Sequence, residues 1–212
     1  MIIQAFPSGP FETNAYVIAC PQTKQAIIVD PSPDSAPLLS SYLAEHQLTP
    51  TAIWLTHSHW DHIADVVPVK AQYGIPVYVH ALDAPNLENP GIDNIPFWVD
   101  IEGIKADHFL KEGDKMKVGN IVFTVIETPG HSPGGVCFSC TEEQILISGD
   151  TIFKGSIGNL SLPTGNPTLM WPSLEKLAKL PSTTRVFPGH GPSTTIGNED
   201  WLPRAKFIFG NL

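Results

Sequence analysis

Cysteine is scarce in this chain, and its distribution argues against a disulfide framework. Cys20, Cys137 and Cys140 are odd in number, and residues 1–7 lack the basic region and long apolar run of a secretion leader. Cys137 and Cys140 have the spacing of a zinc knuckle, but they fall in a strand-like segment where residues three apart face opposite sides. They read as ordinary strand cysteines. No apolar run approaches the roughly 18 residues of a membrane span, so a cytoplasmic protein without membrane contact is expected. Basic residues are also in deficit. Twelve Lys and Arg against 21 Asp and Glu leave a net charge of −9, which argues against nucleic-acid binding through a general basic surface. An anionic small molecule stays open, because carboxylates at a cation site would contribute to that charge. The sequence has no exact repeat and no linker-like stretch. With 42% hydrophobic residues over 212 positions it has length enough for one core, and residues 1–212 are expected to form a single domain.

What the chain does contain is concentrated in Thr56-His57-Ser58-His59-Trp60-Asp61-His62. Imidazole is the commonest metal ligand, and four potential ligands within six residues are rare by accident. Residues 52–56 read as an apolar strand. If the chain stays extended, His57 and His59 project to one side and can chelate one ion. Asp61 and His62 are neighbours and converge only if the chain turns there, between the strand and a helix expected over 61–73 and stopped by Gly74.

Before this point, strands are expected at 2–6, 15–20 and 25–29, the last two as a hairpin, and an amphipathic helix at 34–47. Asp30 ends the hairpin. Its residue type favours a turn former, and its position at the mouth of a buried strand also allows it to steady the ligand loop. After it come a strand at 75–80 and a long loop with short helical pieces over 81–110, a candidate cover for the site. Strands at 116–118, 121–126, 135–139, 144–148 and 185–187 follow, with helices at 169–180 and 200–209, the latter broken by Pro203. Strand-rich halves, each with helices, point to two sheets packed face to face with helices outside. His46 and His108 are expected at the surface, while His80 ends a strand near the site, with a supporting role open to it.

Three later segments place a ligand type beside glycine at a strand end: Gly130-His131, Gly149-Asp150 and Gly189-His190-Gly191. Glycine lets the backbone turn sharply and approach closely. Together with the first motif they make two ligand sets: three histidines for one ion, then an aspartate and two histidines for another, with Asp150 able to bridge.

At this point the chain resembles the metallo-β-lactamase superfamily. His-x-His-x-Asp-His at 57–62 is followed by His131, Asp150 and His190 in the family's order, over nearly the whole chain. The runs 149–158 and 188–199 are similar to those of the short glyoxalase II-like (hydroxyacylglutathione hydrolase-like) proteins. The resemblance implies an α+β fold, a four-layer αββα sandwich of two mixed sheets with helices outside and the metals at one edge. It implies that His57, His59 and His131 bind the first metal, that Asp61, His62 and His190 bind the second, and that Asp150 bridges them. Two divalent ions are expected, zinc first, with iron or manganese also suited to N/O ligands. The implied activity is hydrolysis of a small-molecule thioester such as S-D-lactoylglutathione by metal-activated water, with Asp61 as ligand and orienting group. Alternatives are a single-iron persulfide dioxygenase, a hydrolase of another ester or lactone, and an inert binding module, against which the full set of seven ligands counts. The chain departs from the pattern at Asn159 and Ser161, where relatives commonly carry Arg and Asp, and at Ala64 and Asp65, where small residues are frequent. With the sequence ending at Leu212, the added C-terminal helical region through which longer glyoxalase II enzymes bind glutathione is not expected, and glutathione specificity is not carried over by the resemblance.

Overall fold

Continuous apolar runs bury both faces of the central strands, and this arranges the chain in layers. The computed structural model describes residues 1–210. The first sheet runs in sequence order: β1 (Ile2–Ser8), β2 (Thr13–Ala19), β3 (Gln25–Val29), β4 (Thr49–Trp54), β5 (Val77–His80) and β6 (His108–Leu110). It is antiparallel as far as β3 and parallel beyond. The second sheet contains β7 (Lys115–Val118), β8 (Ile121–Glu127), β9 (Val136–Cys140), β10 (Ile145–Gly149), β11 (Arg185–Pro188) and β12 (Thr194–Thr195). Only its β10–β11 pair is parallel.

Strand β2 shows the layering directly. Tyr16 and Ile18 enter the cluster between the sheets, where Trp54 meets Phe123 and Phe138 at ring separations of 5.6 and 5.1 Å. Ala15, Val17 and Ala19 face the other way, towards Leu39 and Leu43 of α1 (Ala36–Glu45) and Val66 and Val69 of α3 (Val66–Tyr73), which follows the short α2 (Trp60–Ile63). On the far side of the second sheet, Leu146 and Val186 pack with Met170, Leu174 and Leu177 of α5 (Pro167–Leu177), the helix after α4 (Ala84–Glu88). The result is helix, sheet, sheet, helix, with two mixed sheets, as the resemblance implied. Cys137 and Cys140 fall in different clusters, on opposite faces of β9.

Several local expectations are corrected. The helix expected over 61–73 is two helices, α2 and α3, because Asp65 bonds outside the helix and Pro68 has no N–H to give the Ala64 carbonyl. The Asp65 N–H donates to the Pro31 carbonyl at 2.9 Å, and its carboxylate accepts from the Ala36 N–H at the start of α1 at 2.7 Å. The loop expected over 81–110 contains α4 and ends in β6, which pairs in parallel with β5. The helix expected over 200–209 is a 3₁₀ turn, Leu202–Arg204, followed by α6 (Ala205–Phe209). Among the described residues no helix is long and apolar enough to cross a membrane.

Candidate metal centre

The strand expected to run on through His57 and His59 stops at Trp54, and the chain bends at Thr56. Ala52 and Trp54 point between the sheets while Ile53 and Leu55 point to the helix side. Simple continuation would therefore aim His57 at α1 and α3. Thr56 prevents this. Its N–H and Oγ1 donate to the Asp30 carboxylate at 2.8 and 2.6 Å, and its carbonyl accepts from Val136 of the other sheet at 2.8 Å. His57 and His59 leave this pin on irregular backbone, and α2 then turns Asp61 and His62 inward. The other three residues arrive from the second sheet: His131 after β8, Asp150 after β10 and His190 after β11.

All seven sequence-derived residues meet. The free nitrogens of His57, His59 and His131 lie within 4.8 Å of one another, as do one donor atom each of Asp61, His62 and His190. Asp150 faces both groups. Its Oδ2 is 3.4 Å from Nε2 of His131 and of His190, and its Oδ1 is 3.4 Å from Nε2 of His62. Asp61 Oδ2 is 3.3 Å from His190 Nε2. Gly189 is required here, since a Cβ at that position would collide with Asp150 Oδ1 and lie 2.7 Å from His62 Cε1.

The imidazole of each of the five histidines engages a partner outside the centre through one nitrogen. His62 Nδ1 is 3.0 Å from Asp30 Oδ2, His131 Nδ1 is 3.0 Å from the Asn159 carbonyl, and His190 Nδ1 is 3.0 Å from the Phe11 carbonyl. His57 Nδ1 is 3.1 Å from Thr56 Oγ1. His59 is held by Nε2, 2.9 Å from Thr164 Oγ1, whose hydroxyl donates to the His131 carbonyl and so accepts from the ring. Such outer partners set tautomer and orientation, leaving one lone pair per ring for the centre. The inner atoms His57 Nε2, His62 Nε2, His131 Nε2 and Asp150 Oδ1 are buried and have no hydrogen-bond partner. Stranding four such atoms together costs free energy unless a cation takes them. The donor set fits two divalent ions.

Electrostatics agree with that fit. Burial holds His57 well below its usual range and brings His59 down to about 3, so both are neutral donors at pH 7. Burial alone would raise the Asp61 carboxyl, but His62 and His190 bring it down to about 2. Burial opposes a proton on His190, yet Asp150 and Asp61 raise it to about 9. His62 is likewise raised by the two carboxylates against its burial. Without metal, protons on His62 and His190 stand in for cationic charge.

Asp30 is more than a turn former, since both its oxygens are spent on Thr56 and His62. For that reason the grouping of Asp30, His57 and His62, although close enough to hold an ion, is a support rather than a third site. Asp83 went unnoticed in the sequence. Its buried carboxylate accepts from the Ser58 N–H at 3.0 Å, Ser132 Oγ at 2.9 Å and the Gly134 N–H at 2.6 Å, joining the His57–His59 loop to the His131 loop. An aspartate three residues past a strand end was the signal available. Thr164 had none, lying 105 residues from His59. Thr13 Oγ1 donates to Asp61 Oδ2 at 2.7 Å. The departures are accommodated by backbone: the Asn159 carbonyl serves His131, and its side chain accepts from the Ser161 N–H at 2.8 Å. His80 pairs with Glu127 at 3.2 Å and touches no ligand.

Comparison with known proteins agrees with this geometry. A probable metallo-hydrolase, YqgX of Bacillus subtilis, is 35% identical over 91% of this chain and 92% of its own length. A hydroxyacylglutathione hydrolase of Pseudoalteromonas translucida is 35% identical over 78% of this chain but only 56% of its own. Among solved structures, the B3 metallo-beta-lactamase BLEG-1 is 40% identical with a TM-score of 0.85, over 95% of this chain and 99% of that one. TTHA1623, solved in a di-iron-bound form, is 37% identical with a TM-score of 0.79, over 92% and 96%. The family model described as Metallo-beta-lactamase superfamily matches residues 8–190, a span that begins in β1 and ends on His190, and the chain belongs to that superfamily.

Proposed function

We propose that this chain is a binuclear metal-dependent hydrolase that cleaves a thioester, of which S-D-lactoylglutathione is one representative. His57, His59 and His131 would hold one ion, Asp61, His62 and His190 the other, and Asp150 would lie between them. The observation that carries this reading is the convergence of orphaned buried donor atoms whose other ring nitrogens are already engaged. Divalent ions in such a site supply Lewis acidity and bring the pKa of bound water from 15.7 to about 7.

The chain's own groups supply the rest. Asp61, fixed through Oδ2 by the Thr13 hydroxyl, orients the attacking water by accepting its hydrogen bond. A cleft of about 510 Å³ opens over Asp61, Asp150 and His190 and admits the acyl group. A thiolate leaves readily because a free thiol has a pKa of about 8.5, so no separate general acid is needed. The hydroxyacylglutathione hydrolase likeness supports thioester chemistry, and zinc is the first choice of metal.

The di-iron form of TTHA1623 keeps iron in view as the metal of a binuclear site; a second reading is a single-iron persulfide dioxygenase. Metal analysis separates the two: the hydrolase carries two ions per chain and turns over thioester without oxygen. The direct test is hydrolysis of S-D-lactoylglutathione and of a neutral acetyl thioester by the fully metallated protein, with His57→Ala as the blank. Turnover of either, lost with the metal in the variant, is the expected result. An active metal-free variant refutes the ligand assignment, and no turnover of any thioester by the two-metal protein removes the thioesterase reading.

A further inference from the structure

The cleft over the centre has an aromatic side, lined by Phe11 and Trp60, with Trp98 packed against both rings outside the lining. Phe11, on the turn between β1 and β2, lies 5.1 Å from Trp60 of α2 and 5.7 Å from Trp98, and the two tryptophans are 5.3 Å apart. These are favourable separations for aromatic pairs. None of the three rings belongs to any of the three apolar clusters of the fold. Trp60 is 2% exposed, but Phe11 is 50% and Trp98 64% exposed. Large exposed rings gathered at a cleft mark a binding surface. They come from three separate parts of the chain, and Trp60 immediately precedes Asp61.

The remaining cleft lining agrees. Ile95, Pro96, Phe153 and Leu162 are apolar, and apart from Asn159 the polar lining residues are proposed metal ligands. No Lys or Arg lines the cleft. Lys154 adjoins Phe153 in sequence, but it is exposed and is not a lining residue. Beyond the reacting carbonyl a substrate therefore meets rings and aliphatic groups. Among the described lining residues, the two carboxylates of a glutathione carrier would find no counter-charge.

We infer that the face of Phe11 and Trp60, with Trp98 packed against both, receives an uncharged aromatic group, so that the preferred substrate is an aryl-acyl thioester on a neutral thiol rather than a glutathione conjugate. This rests on the thioester hydrolysis proposed above and narrows its substrate. A neutral aryl-acyl group buries its ring against that face and presents its carbonyl to the centre.

Two measurements test it. In the first, hydrolysis of S-phenylacetyl- and S-acetyl-N-acetylcysteamine is compared on the metal-loaded protein and on Phe11→Leu, which keeps apolar bulk but removes the ring, with metal content certifying that the variant keeps its centre. The phenylacetyl ester should be favoured in kcat/KM by about tenfold or more, the scale of one aromatic contact, and the ratio should fall towards one in the variant. In the second, an uncleavable thioether, S-benzyl-N-acetylcysteamine, is titrated against tryptophan fluorescence beside S-methylglutathione. The benzyl ligand should bind at least tenfold more tightly, and Phe11→Ala should remove most of that advantage. Equal binding of the two thioethers, or an aryl preference that survives both substitutions, overturns the inference. So does a preference for the glutathione ligand that Lys154→Ala abolishes. Cleavage of thioesters without aryl preference leaves the hydrolase standing and removes the aromatic site. Aryl binding without any turnover does the reverse.

Discussion

Asp30 adopts φ 49°, in the left-handed region that aspartate tolerates better than most residues, and its carboxylate is 2% exposed. Its oxygens hold Thr56 and His62 together, so its effect on a metal is exerted entirely through other residues. Asp30→Ala should lower metal affinity about 10–100-fold, the usual cost of removing an outer-shell partner. Chelator competition measures this, and an unchanged affinity would show that Asp30 serves only the turn. A second consequence concerns protons. In the metal-free chain His190 titrates near 9 and His62 is raised well above its ordinary value, so both are protonated at pH 7. Asp61, near 2, and Asp150, held well below its usual range, are already ionised, and His57 and His59 are already neutral. Metal uptake at pH 7 should therefore release about two protons, and affinity should rise as pH increases from 6 towards 9. Calorimetry in buffers of different ionisation enthalpy reads the number released. Release of none would mean that the metal-free centre holds no displaceable proton.

At the scale of elements, recognition from sequence succeeded where periodicity and punctuation agreed. Strand β2 and helix α1 were legible because a short continuous apolar run and a 3.6-residue period are local properties. The strand β6 was not legible, because its three residues pair with β5 only after α4 has brought them alongside. The break between α2 and α3 was written partly in Pro68, but Asp65 completes it by bonding to Pro31 and Ala36, far away in the sequence. The C-terminal elements depend on a similar buried group. Glu199, 3% exposed, accepts from the Gly155 N–H at 2.7 Å, from Thr194 Oγ1 and from Trp201 Nε1. Glu199→Ala leaves buried donors unpaired and should cost about 2–4 kcal/mol of stability by urea denaturation. A loss under 0.5 kcal/mol would mean that water replaces the carboxylate there.

On the scale of the whole molecule, the centre lies where strand ends of the two sheets are tied together. Val136 donates to Thr56 across the sheets, and the Asn14 N–H donates to the Gly189 carbonyl at 2.7 Å while the Asn14 side chain reaches Pro188 and Gly191. The proposed ligands come from both sides of that seam, so bound metal should staple the halves. Stripping the metal should lower the thermal midpoint of one cooperative transition, because a ligand at a thousandfold excess over its Kd adds about 4 kcal/mol. Calorimetry on the metal-free and reloaded protein checks this, and two separate transitions in the metal-free sample would show that the sheets do not unfold together.

Ligand types and their spacing could be read from residue order alone, because a dense His-x-His-x-Asp-His run and glycine-flanked ends are local chemistry. The layered architecture followed from two strand-rich halves, each with helices, together with family resemblance. The supports of the centre could not be read in the same way. Thr164, Asp83 and the carbonyls of Asn159 and Phe11 are ordinary residues or bare backbone, and they acquire roles only when distant segments are brought within 3 Å of one another. The aromatic cluster is the same case: Phe11, Trp60 and Trp98 are far apart in the chain and become neighbours through folding. Hydrogen bonds and ring contacts act over a few ångströms of space whatever their separation along the chain, and residue order alone does not record that proximity.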